Sequence, residues 1–325
     1  MSTYQHKDFP SHLYSRHRPT YSDDLFDLIY AWHVKTPGAR TTTPAAFETA
    51  VDVGCGTGQA TVALSGKFGK VYGLDFSEAQ ISNAVKGDNI EYRVGSSSHI
   101  PLPDKSVDLI TAAECYHYFE KKEFFKECKR VLKPNGTIAI WGYAEPYVSG
   151  RPDLQPEFKR LFFEQMGPYW PRGFEIIANY YRYPPLPFGK VERLDWPHKT
   201  LPDYVRVHHW TLQDYKNLMS TWSGTKFLAD LAQSTPGIAH PGDEHIAWLQ
   251  KELGIPDAEF ASKDIELGFY HCLILAKNDD SPIPEEPYDD LSGVKVLKGR
   301  WPGMVSLGGT RWWVDAPEIN VGKFL

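Results

Sequence analysis

Three glycines set the chemistry this chain can do. Gly54, Gly56 and Gly58 alternate with Cys55 and Thr57 in the run V-D-V-G-C-G-T-G-Q, from Val51 to Gln59. A short apolar stretch leads into them and a helix-forming stretch leads away. Glycine tolerates positive φ and lets the backbone come close to a ligand. The N-terminus of the following helix offers unpaired N–H groups to an anionic group. The loop therefore suits a nucleoside cofactor. A dinucleotide fingerprint asks for G-x-G-x-x-G, but position 59 is Gln. No Lys-Ser/Thr pair follows, which excludes a nucleotide P-loop. Asp75 closes the next apolar stretch. A carboxylate at that strand end can accept both ribose hydroxyls, a role that NAD and S-adenosylmethionine sites share. Its competing role is to start the helix in D-F-S-E.

Other reactive residues point to no second chemistry. Cys55, Cys115, Cys128 and Cys272 form no C-x-x-C pair, and no His joins them at zinc-ligand spacing. His208 and His209 are adjacent and cannot easily converge on one ion. No metal is expected, and free thiols suit a reducing, cytoplasmic setting. The net charge of −6 argues against a general grip on nucleic acid. The N-terminus is polar and shows no secretory h-region, and no apolar run is long enough to span a membrane. Oligomeric state is not legible.

The elements that must position the loop alternate along the chain. A helix is expected over residues 23–33, capped by Ser22, with Leu25, Leu28 and Ile29 on one face. Strands are expected at 50–53, 70–74, 90–94, 107–113 and 137–142, with helices at 59–66, 78–86 and 121–132. Strands separated by helices imply crossover units and a parallel sheet, and right-handed crossovers give a doubly wound layer fold. Beyond Tyr143 the rhythm breaks into Pro and aromatic residues. Strands at 188–196 and 265–276, and helices at 211–231 and 245–253, complete the expected pattern.

On these residues the chain resembles class I S-adenosylmethionine-dependent methyltransferases. More narrowly, it is similar to the fungal group that includes trans-aconitate methyltransferase. The narrower likeness rests on Tyr14–Tyr21 (Y-S-R-H-R-P-T-Y), Ala113–Phe119 (A-E-C-Y-H-Y-F), Asn135–Tyr143 (N-G-T-I-A-I-W-G-Y) and Tyr215–Ser223 (Y-K-N-L-M-S-T-W-S). It covers about residues 10–277.

The resemblance implies a mostly parallel, seven-stranded Rossmann-like α/β sheet with helical insertions covering the substrate. Residues 1–40 would form a lid, 41–142 the cofactor core and 143–277 the substrate cover with the last two sheet strands; beyond the resemblance, composition marks 278–325 as an acidic Pro-rich linker with a C-terminal appendage. The cofactor would be S-adenosylmethionine. Asp52, Gly54, Gly56 and Gly58 would wrap it, Asp75 would hold its ribose, and Phe76 would pack on its adenine. Ser96 and Ser97 stand where many relatives carry an acidic residue beside the adenine. Tyr14 and Ala113 would lie near the methyl donor. His117 is the candidate base or hydrogen-bonding partner, against a packing role. Arg18, Tyr21, Tyr143, Trp170, Trp210 and Trp222 are the substrate candidates. The expected partner is a small-molecule methyl acceptor, first a carboxylic acid. A hydroxyl, thiol or amine is the alternative, and cofactor binding without transfer is a third reading.

Overall fold

A computed structural model describes residues 18–35, 47–171, 173–182, 185–197, 204, 206–234, 240–279 and 281–283. Tyr14 and the C-terminal appendage lie outside the described residues.

Among the described residues eight strands make one sheet: β1 (Thr49–Val53), β2 (Lys70–Asp75), β3 (Ile90–Val94), β4 (Val107–Ala113), β5 (Leu132–Val148), β6 (Val191–Trp196), β7 (Arg206–Trp210) and β8 (Ile265–Lys277). Seven follow the order β3-β2-β1-β4-β5-β8-β6, and β7 pairs with β8 beside that path. The pairs from β3 to β5 are parallel, while β8 is antiparallel to β5, β6 and β7. This is the doubly wound, mostly parallel fold expected above, with one strand more. The sequence signal for β7 was missed because R-V-H-H-W is too short and polar to show a strand period.

The helices are α1 (Asp23–His33), α2 (Gln59–Ser65), α3 (Glu78–Ser82), α4 (Lys121–Val131), α5 (Gln155–Lys159), α6 (Phe174–Ala178), α7 (Leu212–Ser220), α8 (Ser223–Ser234) and α9 (Pro241–Glu252). They flank both sheet faces. On one face α1 buries Leu25, Phe26, Ile29 and Trp32 against Leu109, Ala139, Trp141 and Leu273. Ser22 stands at its N-cap, but its side chain makes no capping bond. On the other face α4 buries Phe124, Phe125, Cys128 and Val131, a repeat of three to four residues that puts one stripe inward. Each buried Phe there contributes about 1.5–3 kcal/mol. The central strand β4 is buried on both faces apart from its last residue, so its sequence is a near-continuous apolar run.

Several boundaries differ from expectation, and for three of them a specific contact gives the reason. The helix expected to reach residue 86 ends at Ser82, because the chain turns back and Val85 N–H donates to Thr57 O (3.1 Å). Strand β5 runs on to Val148 because antiparallel β8 carries it past a bulge between Tyr143 and Pro146. The helix expected over 211–231 is two. Thr211 and Asp214 form a capping box at the start of α7. Thr221 ends it, with Oγ1 donating to Leu218 O (2.7 Å). Among the described residues no helix is long and apolar enough to cross a membrane, and no cluster of His, Cys, Asp and Glu could hold a metal ion.

Candidate functional site

The glycine loop leaves β1 at the carboxyl end of the sheet and feeds α2. Gly54, Gly56 and Gly58 all have positive φ (73°, 56° and 96°). Gly54 is needed for a close approach, since a Cβ there would lie 2.7 Å from Cys115 Sγ. Gly56 is different: a Cβ there would meet nothing within 4 Å, so its backbone faces open space. The loop is tied to β2, with Gly54 N–H and Cys55 N–H both donating to Leu74 O.

Asp75 braces the same loop. Its Oδ2 accepts the Gly56 N–H (2.9 Å) and its Oδ1 accepts the Ser77 N–H (2.9 Å). Burial raises its pKa, and the two N–H bonds oppose that rise. Each oxygen keeps lone-pair capacity for another donor. Asp52 is fully buried (0%), with its two oxygens accepting from Thr61 (2.7 Å) and Thr111 (2.8 Å). Burial lifts its carboxyl to about 6. Asp52 thus links β1, α2 and β4, which fixes the loop from below.

A cavity of about 460 Å³ opens above the loop, within the range of small-molecule sites. At one end lie Gly54, Gly56, Asp75, Phe76, Ser96 and Ser97. Phe76 leaves 41% of its surface exposed, an apolar ring held at the rim for a flat partner. Ser96 and Ser98 are exposed, with hydroxyls 3.0 Å apart. These residues fit an adenosine-bearing cofactor. The open backbone at Gly56 leaves room for it, the braced carboxylate suits a diol, and the exposed ring suits a base.

At the other end of the cavity lie Arg18, Tyr21, Glu114, His117, Tyr143 and Ile176. Arg18 donates to Tyr143 Oη (3.0 Å) and to Thr221 O (3.1 Å). The break between α7 and α8 is what frees that carbonyl. Glu114 follows β4 with φ at +54°, and its Oε2 accepts the Tyr143 N–H (2.7 Å). Burial pushes its carboxyl up to about 8, against the lowering effects of that bond and of Arg18. His117 is buried, with Nδ1 2.9 Å from the Tyr181 hydroxyl. Burial, then Lys121 and Arg18, pull its pKa down to about 3. The carboxyl thus holds a proton more tightly than the imidazole, the reverse of their ordinary order.

Tyr181 is itself constrained. It and Tyr180 both have positive φ (56° and 51°), which costs a bulky residue on the order of 1–2 kcal/mol. The backbone turn sends Tyr180 Oη to buried Glu145 (2.7 Å) and Tyr181 Oη to His117.

Of the candidates named from sequence, Arg18, Tyr21, Asp52, Gly54, Gly56, Asp75, Phe76, Ser96, Ser97, Ala113, His117 and Tyr143 line this one cavity. Gly58 stands behind it, where an added Cβ would sit 2.2 Å from Tyr92 Oη. Trp170 and Trp222 are buried in the core, their rings 5.4 Å apart. Trp170 also stacks on Phe174 (4.4 Å). Trp210 is partly buried with its ring edge toward Phe269. None of the three tryptophans lines the cavity. Cys115, Phe119, Gly173 and Glu175 line it without having been marked from sequence. For Gly173 the sequence carried a weak signal, a glycine between aromatic residues in a segment already read as the cover.

Residues 51–140 match the family described as a methyltransferase domain. The chain is 38% identical over 172 residues to a Dictyostelium discoideum protein provisionally named a methyltransferase; the match covers 53% of this chain and 62% of that protein. It is 30% identical over 190 residues to a Saccharomyces cerevisiae protein named, by inference, as an S-adenosylmethionine-dependent methyltransferase, covering 55% and 62%. The matches therefore span less than two thirds of either relative. A solved structure from Anaeromyxobacter dehalogenans, provisionally titled a type II methyltransferase, superimposes with a TM-score of 0.62 at 25% identity, covering 80% of this chain and 98% of that one.

Proposed function

We propose, from the match of residues 51–140 to a methyltransferase domain, that the chain transfers the methyl group of S-adenosylmethionine to a small molecule. One observation carries the reading. A single cavity joins the glycine loop, Asp75 and Phe76 to a second, chemically distinct end built by Arg18, Glu114, His117 and Tyr143.

S-adenosylmethionine supplies, when bound, a methyl group made electrophilic by a sulfonium. The chain's own task is positioning and water exclusion. Asp75, Phe76 and the glycine loop would hold the nucleoside, while Tyr143, Ile176 and Gly173 would close the acceptor end. Holding two reactants in register can contribute about 7–11 kcal/mol. A carboxylic acid is the first acceptor we propose, supported by the resemblance to the trans-aconitate group and by Arg18 at that end. Such an acceptor is ionised at neutral pH and needs no base. A hydroxyl, thiol or amine acceptor is the second reading, because Glu114 faces the same space and can take a proton. The setting we propose is cytoplasmic.

His117 is expected to act as a neutral hydrogen-bonding partner. Its imidazole stays unprotonated until pH falls to about 3, so its charge does not change across the working range. The pH–rate profile should show no limb between pH 6 and 7 that depends on His117. A limb there that His117→Asn removes would instead assign proton transfer to the imidazole.

The proposal itself is tested by calorimetry and a product assay. S-adenosylmethionine should bind and NAD should not compete. Incubation with candidate acids, phenols and thiols should yield a product heavier by one methylene in mass spectra. Binding of NAD without S-adenosylmethionine overturns the reading.

A further inference from the structure

We propose that Glu114 makes this cavity selective for a positively charged methyl donor over its uncharged thioether product. The inference rests on the proposed function, since it concerns the same site. It begins from geometry. Glu114 is the first residue past β4, at the carboxyl ends of the parallel strands, where open α/β sheets bind their ligands. Its backbone is held at φ +54°, a conformation that non-glycine residues adopt at a cost. The backbone bond from Glu114 N–H to Trp141 O (2.9 Å) and the side-chain bond from Tyr143 N–H (2.7 Å) hold that conformation in place. Both anchors come from β5, so the carboxyl is fixed to the sheet rather than to a mobile loop. Among the described residues the carboxyl is tied at one oxygen only, and the residue lines the cavity.

The surroundings keep this group close to neutral in the free protein. Burial is the main cause, and it holds the carboxyl at about 8. The groups that act on it come from several elements. Arg18 faces it from the N-terminal segment and favours the charged form. Cys115 beside it, Tyr181 after α6 and Cys272 on β8 lie in its field, all with raised pKa values. His117 is neutral for the reason given above. At pH 7 the free cavity thus has a carboxyl that is largely protonated and ready to ionise.

A cation entering the cavity favours the carboxylate, and an opposite charge within a few ångströms lowers a carboxyl pKa by about 1–3. Glu114 then releases its proton to solvent as a sulfonium binds. The thioether product carries no such charge, so Glu114 recovers a proton once the methyl group has left. With a hydroxyl or amine acceptor that proton comes from the acceptor. With a carboxylate acceptor it comes from water. Either way the carboxyl facing the product is neutral again and offers it no charge attraction, which favours exchange of product for fresh donor.

The test is titration calorimetry of S-adenosylmethionine and S-adenosylhomocysteine, at pH 6.5 and 8.5, in two buffers of different ionisation enthalpy. For the unaltered protein, binding of the sulfonium compound at the lower pH should release more protons than binding of the thioether. Its relative preference for the sulfonium compound should rise roughly tenfold between the two pH values. In Glu114→Gln the amide oxygen can still accept the Tyr143 N–H, so the thioether should bind as before and report an intact fold. That variant should lose the extra proton release and roughly tenfold of the preference at pH 8.5. The α-amino group that both ligands share cannot account for a change confined to the variant. Equal proton release for the two ligands in the unaltered protein overturns the proposal without recourse to any variant. So does a preference blind to Glu114→Gln. If neither ligand binds the unaltered protein, it is the proposed function that falls, and this inference with it.

Discussion

Replacing Asp75 with Ala should weaken S-adenosylmethionine binding by about two orders of magnitude. Hydrogen bonds to a charged group contribute about 1.5–3 kcal/mol each, and two ribose hydroxyls would lose their acceptor. The loop would lose a brace as well, because Asp75 also accepts the Gly56 and Ser77 N–H groups. Calorimetry should show the affinity loss, and thermal melting should show a smaller loss of stability. Asp75→Asn separates the two roles. It keeps an acceptor for one of the two backbone N–H groups but turns an N–H₂ group toward the other, so affinity should stay impaired while stability recovers only in part. An Asp75→Ala protein with unchanged affinity would mean that the residue only shapes the loop.

The second large effect is expected at Gly173→Ala. Gly173 stands at the N-cap of α6 with φ at +96°. A Cβ there would lie 2.3 Å from the backbone carbonyl oxygen of His117. The obstacle is main chain and cannot rotate aside, so α6 or the His117 turn must shift. Backbone strain alone costs about 1–3 kcal/mol, and the melting temperature should fall by roughly 2–4 °C per kcal/mol for a domain of this size. The functional loss should be larger than the stability loss. The displaced segment carries Ile176 and borders His117 at the acceptor end, whereas the glycine loop and Asp75 sit on β1 and β2. Turnover should therefore drop at least tenfold with cofactor affinity nearly unchanged, since a displacement of about 1 Å can cost two orders of magnitude. A variant that loses cofactor affinity and turnover in parallel would show that α6 supports the whole cavity rather than its acceptor end.

Much of the cofactor end was legible in the sequence because it is locally encoded. Gly54, Gly56 and Gly58 need only the strand before them and the helix after them to take their positive φ values. Asp75 follows from the next strand ending where its apolar run ends. The alternating strands and helices up to residue 142 follow from period and turn residues, and α1, β3 and β4 have the bounds that pattern implies. What local pattern could not give was β7, the early end of α3 and the split between α7 and α8. The first two are decided by contacts distant in sequence, pairing with β8 and the bond from Val85 to Thr57, while the split comes at Thr221, whose hydroxyl donates to Leu218 O and whose carbonyl is left for Arg18.

The aromatic residues show the same division. Sequence marked Trp170 and Trp222 as possible walls of a substrate site, yet both pack into the core. A tryptophan's chemistry is the same in either place, and only its neighbours decide which surface it covers. Phe76, marked for its position after Asp75, keeps its ring exposed and lines the cavity.

The glycine loop therefore was set by the sequence alone: its spacing, its strand and its helix specify a nucleoside site wherever the rest of the chain goes. The acceptor end was set only by the tertiary structure. Arg18, Tyr143, Gly173 and the stretch holding both Glu114 and His117 come from four separate segments, and no spacing links the four. Their charge states were likewise invisible in the sequence. Burial lifts the Glu114 carboxyl and depresses the His117 imidazole, because removing a charge from water is costly and only the fold determines which charges are removed.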